Sequence, residues 1–308
     1  MAAFIDEDGE PELPPPYYFP GVSITSFRLE GTLEAIQALC DKFLNISSLE
    51  TRGFVYVAAS HFVDLEILTY PRMECILPPF SARGFCSQKE IYFRVFVVKL
   101  EVLGNLLIPS EVGWFFPFIF VDNPWSLVSG REVIAFPKGL AAFRLPNAPT
   151  PYPIEVSAYV LDRYDPNTCL TERPVVNIRA ARRAHSKPPV GPWPWGDMDF
   201  SKLSWPLQLF LNDLAIFAEP TLRAVGLKQF RDAQIPTAAC YQAIVESEFT
   251  ATNLAFTPLA PADVVLSQYD SFPIIKSFGF SGPNLVPIWE YDLRCDMSFG
   301  NCRNVFVA

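Results

Sequence analysis

The distribution of proline most limits how this chain can fold. Thirty of its 308 residues are proline, which is about twice the average frequency. Proline lacks a backbone N–H and obstructs the interior of a helix, so prolines spread along a chain disfavour long helices. The segments between them are rich in Val, Ile, Phe and Tyr, a composition typical of β-strands. We therefore expect a fold built mainly from strands.

Eight segments carry this strand pattern: residues 54–59, 62–70, 91–103, 114–121, 154–161, 175–180, 241–249 and 286–293. The chain shows no internal repeat and no β-α-β alternation, which disfavours Rossmann and TIM architectures. The predicted fold class is α+β and mainly antiparallel β, with the strands forming a cone or barrel that peripheral helices flank.

Two segments have apolar residues at helical spacing. The first, residues 32–46, is predicted to begin at an N-cap formed by Thr32. The second covers residues 206–219 and ends at Pro220. Between the strands and this second helix, residues 187–205 are rich in proline and tryptophan, and we interpret them as a long irregular loop that serves as a lid or wall.

The length of the chain corresponds to one large domain or two modest ones. The first 20 residues contain five acidic side chains and three consecutive prolines. We interpret residues 1–20 as an acidic, proline-rich N-terminal arm, and residues 21–308 as a single domain.

Charge and composition exclude several classes of partner. A net charge of −9 argues against nucleic acid, because phosphate binding needs a basic surface. The chain lacks the roughly 18 consecutive apolar residues of a membrane helix, and its acidic start is unlike a secretory signal. We therefore predict a cytoplasmic protein with no membrane partner. Seven cysteines without a C-x-x-C pair, and only two histidines, give little support for a metal site. No metal and no cofactor are expected.

The segment Gly-Arg-Glu-Val-Ile-Ala-Phe-Pro-Lys, residues 130–138, contains the strongest chemical signal. It places Lys138 directly after a proline in an otherwise apolar run. Desolvation disfavours the charged ammonium form of such a lysine, and an uncharged amine attacks the carbon of a ketone or aldehyde. Lys138 is therefore the predicted catalytic residue. A surface lysine after a turn proline is the alternative interpretation.

Four further residues are predicted to form the substrate site around Lys138. Phe136 provides an apolar wall, and Arg131 either holds the turn that aims Lys138 or repels its charge. Arg94 lies among apolar residues of a strand, where it either forms a surface ion pair or binds a substrate carboxylate. Glu101 is a candidate general acid or base, and the other candidates for that role are Asp64, Glu66 and His61.

The lysine segment resembles the acetoacetate decarboxylase family. Members of that family carry an Asp-Asn turn, a Gly-Arg-Glu and an aromatic-Pro-Lys ending in the lysine that forms a Schiff base. The corresponding residues here are 121–123, 130–132 and 136–138. Weaker similarities cover residues 27–46 and a Leu-Lys hairpin at 227–246. The resemblance implies the family's antiparallel β-cone or barrel, a homo-oligomeric assembly, and a role for Lys138 as the attacking amine.

Three positions depart from the family pattern. Typical members carry a second lysine after the reactive one, where this chain has Gly139. They also place a glutamate after a tyrosine on the preceding strand, where the nearest match here is Arg94, and an arginine near the N-terminus falls around Pro20. Acetoacetate decarboxylase is itself the usual example of a lysine activated by a neighbouring cation, and that second cation is missing here.

These observations predict a Schiff-base-forming lyase that acts on a small-molecule keto acid or related carbonyl compound. The reaction is a decarboxylation or a related aldol, dehydration or cyclisation step, with a place in specialised metabolism and a substrate bulkier than acetoacetate. Two alternatives stay open. One is a non-catalytic ligand-binding or scaffold protein on the same fold, and the other is catalysis without an imine.

Overall fold

The computed structural model describes residues 12–146, 151–181 and 222–308. The strands in these residues are β1 (Tyr17–Glu30), β2 (Phe54–Ala58), β3 (Phe62–Cys75), β4 (Phe85–Leu103), β5 (Leu106–Val121), β6 (Lys138–Arg144), β7 (Ile154–Val160), β8 (Thr171–Ala180), β9 (Leu222–Arg231), β10 (Ala239–Pro258), β11 (Ala262–Leu266), β12 (Asn284–Leu285) and β13 (Trp289–Val307).

Short helices connect some of these strands. They are α1 (Leu33–Phe43), α2 (Leu49–Arg52), a 3-10 helix (Phe80–Arg83), α3 (Pro124–Ser129), a π-helical turn (Gly130–Ile134) and α4 (Ile274–Phe278). In the part of the chain that the structure describes, every helix is too short or too polar to cross a bilayer.

All of the described strands belong to one sheet, and β5 is its junction. This strand pairs antiparallel with β4 and parallel with both β6 and β9. The pairings therefore run in a circuit through β5, β9, β10, β13, β1, β3 and β4, and a branch of β6, β7, β8, β11 and β12 leaves from β5. This confirms the predicted mainly antiparallel class with few helices, with the circuit in place of a regular barrel.

Local sequence signals identify several elements within a few residues. The strands predicted at 54–59 and 154–161 are β2 and β7. The predicted helix at 32–46 is α1, and the Thr32 side chain accepts a hydrogen bond from the N–H of Ala35 at 3.3 Å. The loop predicted at 187–205 and the helix predicted at 206–219 lie outside the described residues.

The N-terminal arm predicted over residues 1–20 is too long. Strand β1 begins at Tyr17, whose side chain is fully buried, and Leu13 is also buried. The N–H of Leu13 donates to Ser129 Oγ at 2.9 Å, at the end of α3. Residues 12–20 are therefore packed against the rest of the fold.

Strand β4 separates two hydrophobic cores. On one face, Phe93 and Val95 belong to the larger core, which also contains side chains of α1 and α4. On the other face, Tyr92 joins a second core rich in aromatic residues, and Glu90 and Arg94 follow the same alternation. The side chains of Glu90, Tyr92 and Arg94, which are two residues apart along β4, therefore lie in the same buried space.

Gly226 of β9 permits a close approach to the turn that precedes Lys138. A Cβ at this position would collide with the carbonyl oxygen of Ala135. We expect Gly226→Ala to lower the free energy of unfolding by about 1–3 kcal/mol, because the clash involves backbone that cannot rotate away. Urea denaturation measures this change. The control is Gly282→Ala, where an added Cβ meets nothing within 4 Å, and equal losses in both variants would contradict the close approach.

Candidate active site

The motif around Lys138 folds into a compact turn that places this lysine at the start of β6. Asn123 caps α3, and its side chain accepts hydrogen bonds from the N–H groups of Trp125 and Ser126 at 2.9 and 3.3 Å. The π-helical turn follows directly, a form that occurs often at functional sites. Ala135 then reverses the chain with a φ of 75°. This conformation is strained for a residue with a Cβ.

Gly130 gives the Lys138 side chain its path. A Cβ at residue 130 would lie 2.5 Å from Cδ and 2.6 Å from Cε of Lys138, so only glycine leaves room for the lysine stem. Arg131, the next residue, donates from Nη1 to the backbone carbonyl of Lys138 at 3.1 Å. Gly130 therefore leaves space for the Lys138 side chain, and Arg131 holds the Lys138 backbone.

The amine of Lys138 is buried and has polar partners. The residue is 5% exposed, and Nζ donates to Ser126 Oγ at 2.8 Å. Nζ also lies 2.5 Å from Glu90 Oε2 in an ion pair, although the geometry of this contact is not that of a hydrogen bond. The other Glu90 oxygen accepts from Tyr70 Oη at 3.3 Å. The sequence predicts that apolar surroundings, helped by repulsion from an arginine such as Arg131, keep the amine uncharged. The structure corrects this prediction, because a buried carboxylate faces the amine.

Lys138 opens onto a cavity of about 60 Å³. One wall is aromatic, formed by rings that include Phe19, Phe116, Phe136 and Phe299. Phe136 contacts two of these rings, with centroid distances of 5.1 Å to Phe116 and 5.8 Å to Phe299. This apolar wall agrees with the role predicted for Phe136, whose ring centroid lies 6.0 Å from Lys138 Nζ.

The cavity lining also contains polar side chains. It includes Gln88, Glu90 and Arg94 of β4 together with Ser126 and Lys138. Within the described residues, Gln88 Oε1 and Arg94 Nε are buried without a hydrogen-bond partner. Buried polar atoms are nearly always satisfied in proteins, so unsatisfied atoms at a cavity wall indicate a place where a ligand binds.

Arg94 lies at the cavity, but it is held by acidic neighbours. Its Nη2 donates to Glu66 at 2.7 Å, its Nε is 3.7 Å from Asp64, and its guanidinium stacks over Trp114 at 4.0 Å. Burial of Arg94 lowers its pKa, but Glu66 leads the groups that outweigh this effect and raise the pKa above its usual value. A substrate carboxylate would compete with Glu66 for this arginine.

Glu66 is fully buried behind Arg94. Burial raises the pKa of the Glu66 carboxyl above its usual value, and Arg94 and hydrogen bonds from Tyr92 and Ser26 only partly offset this effect. Oε2 accepts from Tyr92 at 2.6 Å, and Oε1 accepts from Ser26 at 3.1 Å. Both oxygens accept hydrogen bonds, which favour the charged form of Glu66 against the effect of burial.

The structure does not bring Glu101 to the cavity. Its side chain is 56% exposed near the end of β4, 3.9 Å from Lys99. Arg131 also lies outside the cavity wall and acts on the Lys138 backbone. Of the predicted site residues, Lys138, Phe136 and Arg94 therefore meet at one cavity. Groups of three or more metal-ligating side chains are absent from the described ranges.

Glu90 is the residue that sequence reasoning missed. The predicted strand begins at Ile91, whereas β4 begins at Phe85, so Glu90 falls just outside the predicted element. A signal is present, because Gln88, Glu90, Tyr92 and Arg94 alternate with other residues at the period of a strand. Because of this alternation, Glu90 is expected on the same face of the strand as Arg94.

The close contact at Gly130 makes a direct prediction. Gly130→Ala places a methyl group where the Lys138 stem lies, and the flexible stem then moves the amine away from Glu90 and Ser126. We expect the rate at which Lys138 forms a borohydride-stable adduct with a carbonyl compound to fall by about tenfold, since small misplacements of reacting groups are costly. Intact mass spectrometry measures adduct formation. An unchanged rate in a folded variant would refute the steric role of Gly130.

The chain is similar to acetoacetate decarboxylases in sequence and in fold. The model of the acetoacetate decarboxylase (ADC) family matches residues 1–163. Among solved structures, acetoacetate decarboxylase from Legionella pneumophila subsp. pneumophila str. Philadelphia 1 is 15% identical, with a TM-score of 0.57 over 96% of this chain and 88% of that chain. An acetoacetate decarboxylase-like enzyme from Sphingomonas wittichii RW1 is 14% identical, with a TM-score of 0.53 over 94% of this chain and 92% of that chain.

The enduracididine biosynthesis enzyme MppR is also similar. Its complex with pyruvate is 12% identical, with a TM-score of 0.52 over 95% of this chain and 91% of that chain. At these identities the structural likeness shows a shared fold. No curated protein sequence matches the chain. The family model covers more than half of the chain, including Glu90 and Lys138, and the chain therefore belongs to the acetoacetate decarboxylase family.

Proposed function

We propose that this protein is a Schiff-base-forming lyase that acts on a keto acid or related carbonyl compound through Lys138. The observation that carries the proposal is the position of the buried Lys138 side chain. It lines the cavity, and its Nζ lies 2.5 Å from Oε2 of the Glu90 carboxylate. Membership of a family that includes decarboxylases supports it. Solved complexes of MppR, with pyruvate and with the condensation product of pyruvate and imidazole 4-carboxaldehyde, support carbonyl chemistry on this fold.

The first step is a proton transfer from the Lys138 ammonium to Glu90. Both side chains are buried, with exposures of 6% and 5%. Each ion is disfavoured away from water, and the transfer removes two buried charges at once. Glu90 is therefore the base that prepares the nucleophile, whereas the sequence indicates desolvation, with repulsion by an arginine such as Arg131, as the cause of an uncharged amine.

The neutral amine then attacks the substrate carbonyl. A C–N bond forms, and the carbonyl oxygen takes up two protons, one that Nζ loses in the addition and one that Glu90 returns, so that the C–O bond breaks and the oxygen leaves as water to give an iminium. The iminium accepts the electron pair released when a β-carboxylate leaves as CO2, or when a neighbouring C–H or C–C bond breaks. The resulting enamine is protonated, and hydrolysis of the iminium frees the product and Lys138.

The contacts of Lys138 weaken the non-catalytic alternative and favour the alternative of catalysis without an imine. The non-catalytic alternative rests on a missing acidic partner and a missing second lysine. Glu90 supplies an acidic partner, and a side chain at residue 139 would face Phe120, 3.2 Å away, rather than the cavity. Catalysis without an imine, with Lys138 as a proton donor, is favoured by the ion pair to Glu90. A homo-oligomeric assembly, a cytoplasmic location and a biosynthetic role stay predictions from the sequence.

Replacing Lys138 tests the imine directly. We expect Lys138→Met to abolish the adduct that the wild-type protein forms with a carbonyl compound and cyanoborohydride, because only an amine forms an imine. Peptide mass spectrometry locates the adduct, and circular dichroism checks the fold. The control is Lys89→Met, which removes an exposed lysine 3.4 Å from Asp122. An adduct that persists in Lys138→Met, or is lost in Lys89→Met, would refute the assignment.

Replacing Glu90 tests the proton acceptor. Glu90→Gln keeps the size of the side chain but cannot take a proton, and we expect imine formation at neutral pH to slow about 100-fold. The rate of adduct formation in the presence of cyanoborohydride measures this step. The matched control is Glu101→Gln, on the same strand but outside the cavity. If Glu90→Gln retains the wild-type rate, another group activates Lys138.

A further inference from the structure

The hydroxyl group of Ser126 lies beside the amine to which the attack on the substrate is assigned. Ser126 belongs to α3, its side chain lines the cavity, and the residue is only 1% exposed. Its Oγ accepts a hydrogen bond from Lys138 Nζ at 2.8 Å. A lone pair of Oγ therefore faces the amine, and the hydroxyl hydrogen points in another direction.

That hydroxyl hydrogen is available to a molecule in the cavity. Within residues 12–146, 151–181 and 222–308, the contact with Lys138 is the one hydrogen bond in which Ser126 Oγ takes part. Burial keeps bulk water from serving as the acceptor. Because buried polar groups are nearly always satisfied, a donor without an acceptor at a cavity wall indicates that a ligand supplies the acceptor.

The two tyrosines that line the cavity differ from Ser126 in this respect. Tyr70 Oη donates to Glu90 at 3.3 Å, and Tyr92 Oη donates to Glu66 at 2.6 Å. Burial also raises the pKa of each tyrosine well above its usual value, which makes both of them reluctant proton donors. Among the hydroxyl groups that the described residues place at this wall, Ser126 therefore has the hydrogen that is not already committed.

The addition of an amine to a carbonyl requires such a donor. The attack leaves a positive charge on the nitrogen and a negative charge on the former carbonyl oxygen. Both atoms are bonded to one carbon, so direct transfer of a proton between them would pass through a small, strained ring. A hydroxyl group placed between them avoids that strain, because it accepts from the nitrogen while it donates to the oxygen.

Ser126 is placed to bridge these two atoms. Its Oγ is already in hydrogen-bond contact with Nζ, and the oxygen of the adduct is bonded to the carbon that Nζ attacks. A hydroxyl that contacts the nitrogen is therefore within reach of this oxygen. Glu90, the other polar partner of Nζ, is a carboxylic acid at this stage, since it has received the first proton from the ammonium. It therefore does not accept the next one.

We infer that Ser126 is a catalytic residue that relays a proton from Nζ to the carbonyl oxygen as the amine adds to the substrate. The inference rests on the proposed function, because it presupposes an imine at Lys138. As the C–N bond forms, Oγ takes a proton from Nζ and gives its own hydrogen to the oxygen, so Ser126 ends unchanged. Glu90 then returns its proton to the same oxygen. The nitrogen lone pair forms the C=N bond, the C–O bond breaks, and water leaves.

The variant Ser126→Ala tests the relay in the full-length protein. Pyruvate and acetone are the probes, one a keto acid and the other an uncharged ketone. Borohydride added at timed intervals reduces the imine, and peptide mass spectrometry measures the labelled fraction of Lys138. Dilution into probe-free buffer before borohydride gives the rate of imine hydrolysis. Because a relay serves both directions of one step, we expect formation and hydrolysis each to slow about 100-fold, with their ratio unchanged.

A purely structural role for Ser126 predicts a different result. A hydrogen bond that only holds the free Lys138 amine changes the stability of that amine, and its loss alters the ratio of the two rates. Wild-type rates in folded Ser126→Ala, or a changed ratio with unchanged hydrolysis, overturn the inference and leave the imine proposal standing. If Ser126→Ala does not fold, Ser126→Gly, which also removes the hydroxyl, decides by the same measurements.

The matched control is Ser129→Ala. Ser129 lies on the same helix and is equally buried, but its Oγ accepts from the N–H of Leu13 and stands outside the cavity lining that the described residues form. We expect wild-type rates in this variant, and equal slowing in both variants contradicts the relay. Labelling of Lys138 by neither probe, under conditions that label a free model amine, overturns the proposed function and the inference with it.

Discussion

The contact between Lys138 and Glu90 determines how this site can work. Two opposite charges are removed from water together, and their mutual attraction must offset the loss of hydration of both. Tyr70 and Ser126 contribute, since one donates to Glu90 and the other accepts from the amine. A buried pair of this kind has a second accessible state, in which the proton has moved and neither group is charged. The chemistry proposed for Lys138 begins in that second state.

The backbone is arranged around this contact by positions that tolerate little change. Gly130 leaves the space that the Lys138 stem fills, and Gly226 allows β9 to pack on the carbonyl of Ala135. Ala135 itself adopts a left-handed conformation with a Cβ present. Such strain persists only where surrounding structure enforces it, and here the strained residue lies between the Gly-Arg-Glu turn and the Pro-Lys step. The motif that identifies the family in the sequence is thus also what shapes the lysine in space.

Sequence patterns are sufficient to predict those elements whose conformation depends on neighbouring residues in the chain. Thr32 caps α1 because a threonine side chain before a helical pattern satisfies a free N–H. Lys138 is identifiable because Pro-Lys in an apolar run is unusual. Glu101 does not lie at the cavity, since an apolar alternation does not reveal where a strand extends beyond the core, and at Glu101 β4 is already exposed. Glu90 escapes prediction because its partner is 48 positions later in the chain, and only the pairing of β5 with both β4 and β6 brings the two together.

The structure shows how the residues that depart from the family pattern are placed relative to the site. Arg94 stands where a glutamate was expected, and its charge is balanced by Glu66, which lies opposite Tyr92 on β3. Glu90, two residues before Tyr92, supplies a carboxylate to the lysine. The missing second lysine matters little, because successive residues of a strand face opposite sides and residue 139 faces Phe120. The cavity therefore holds the amine and a carboxylate together, and a second buried ion pair, between Arg94 and Glu66, lies beside them.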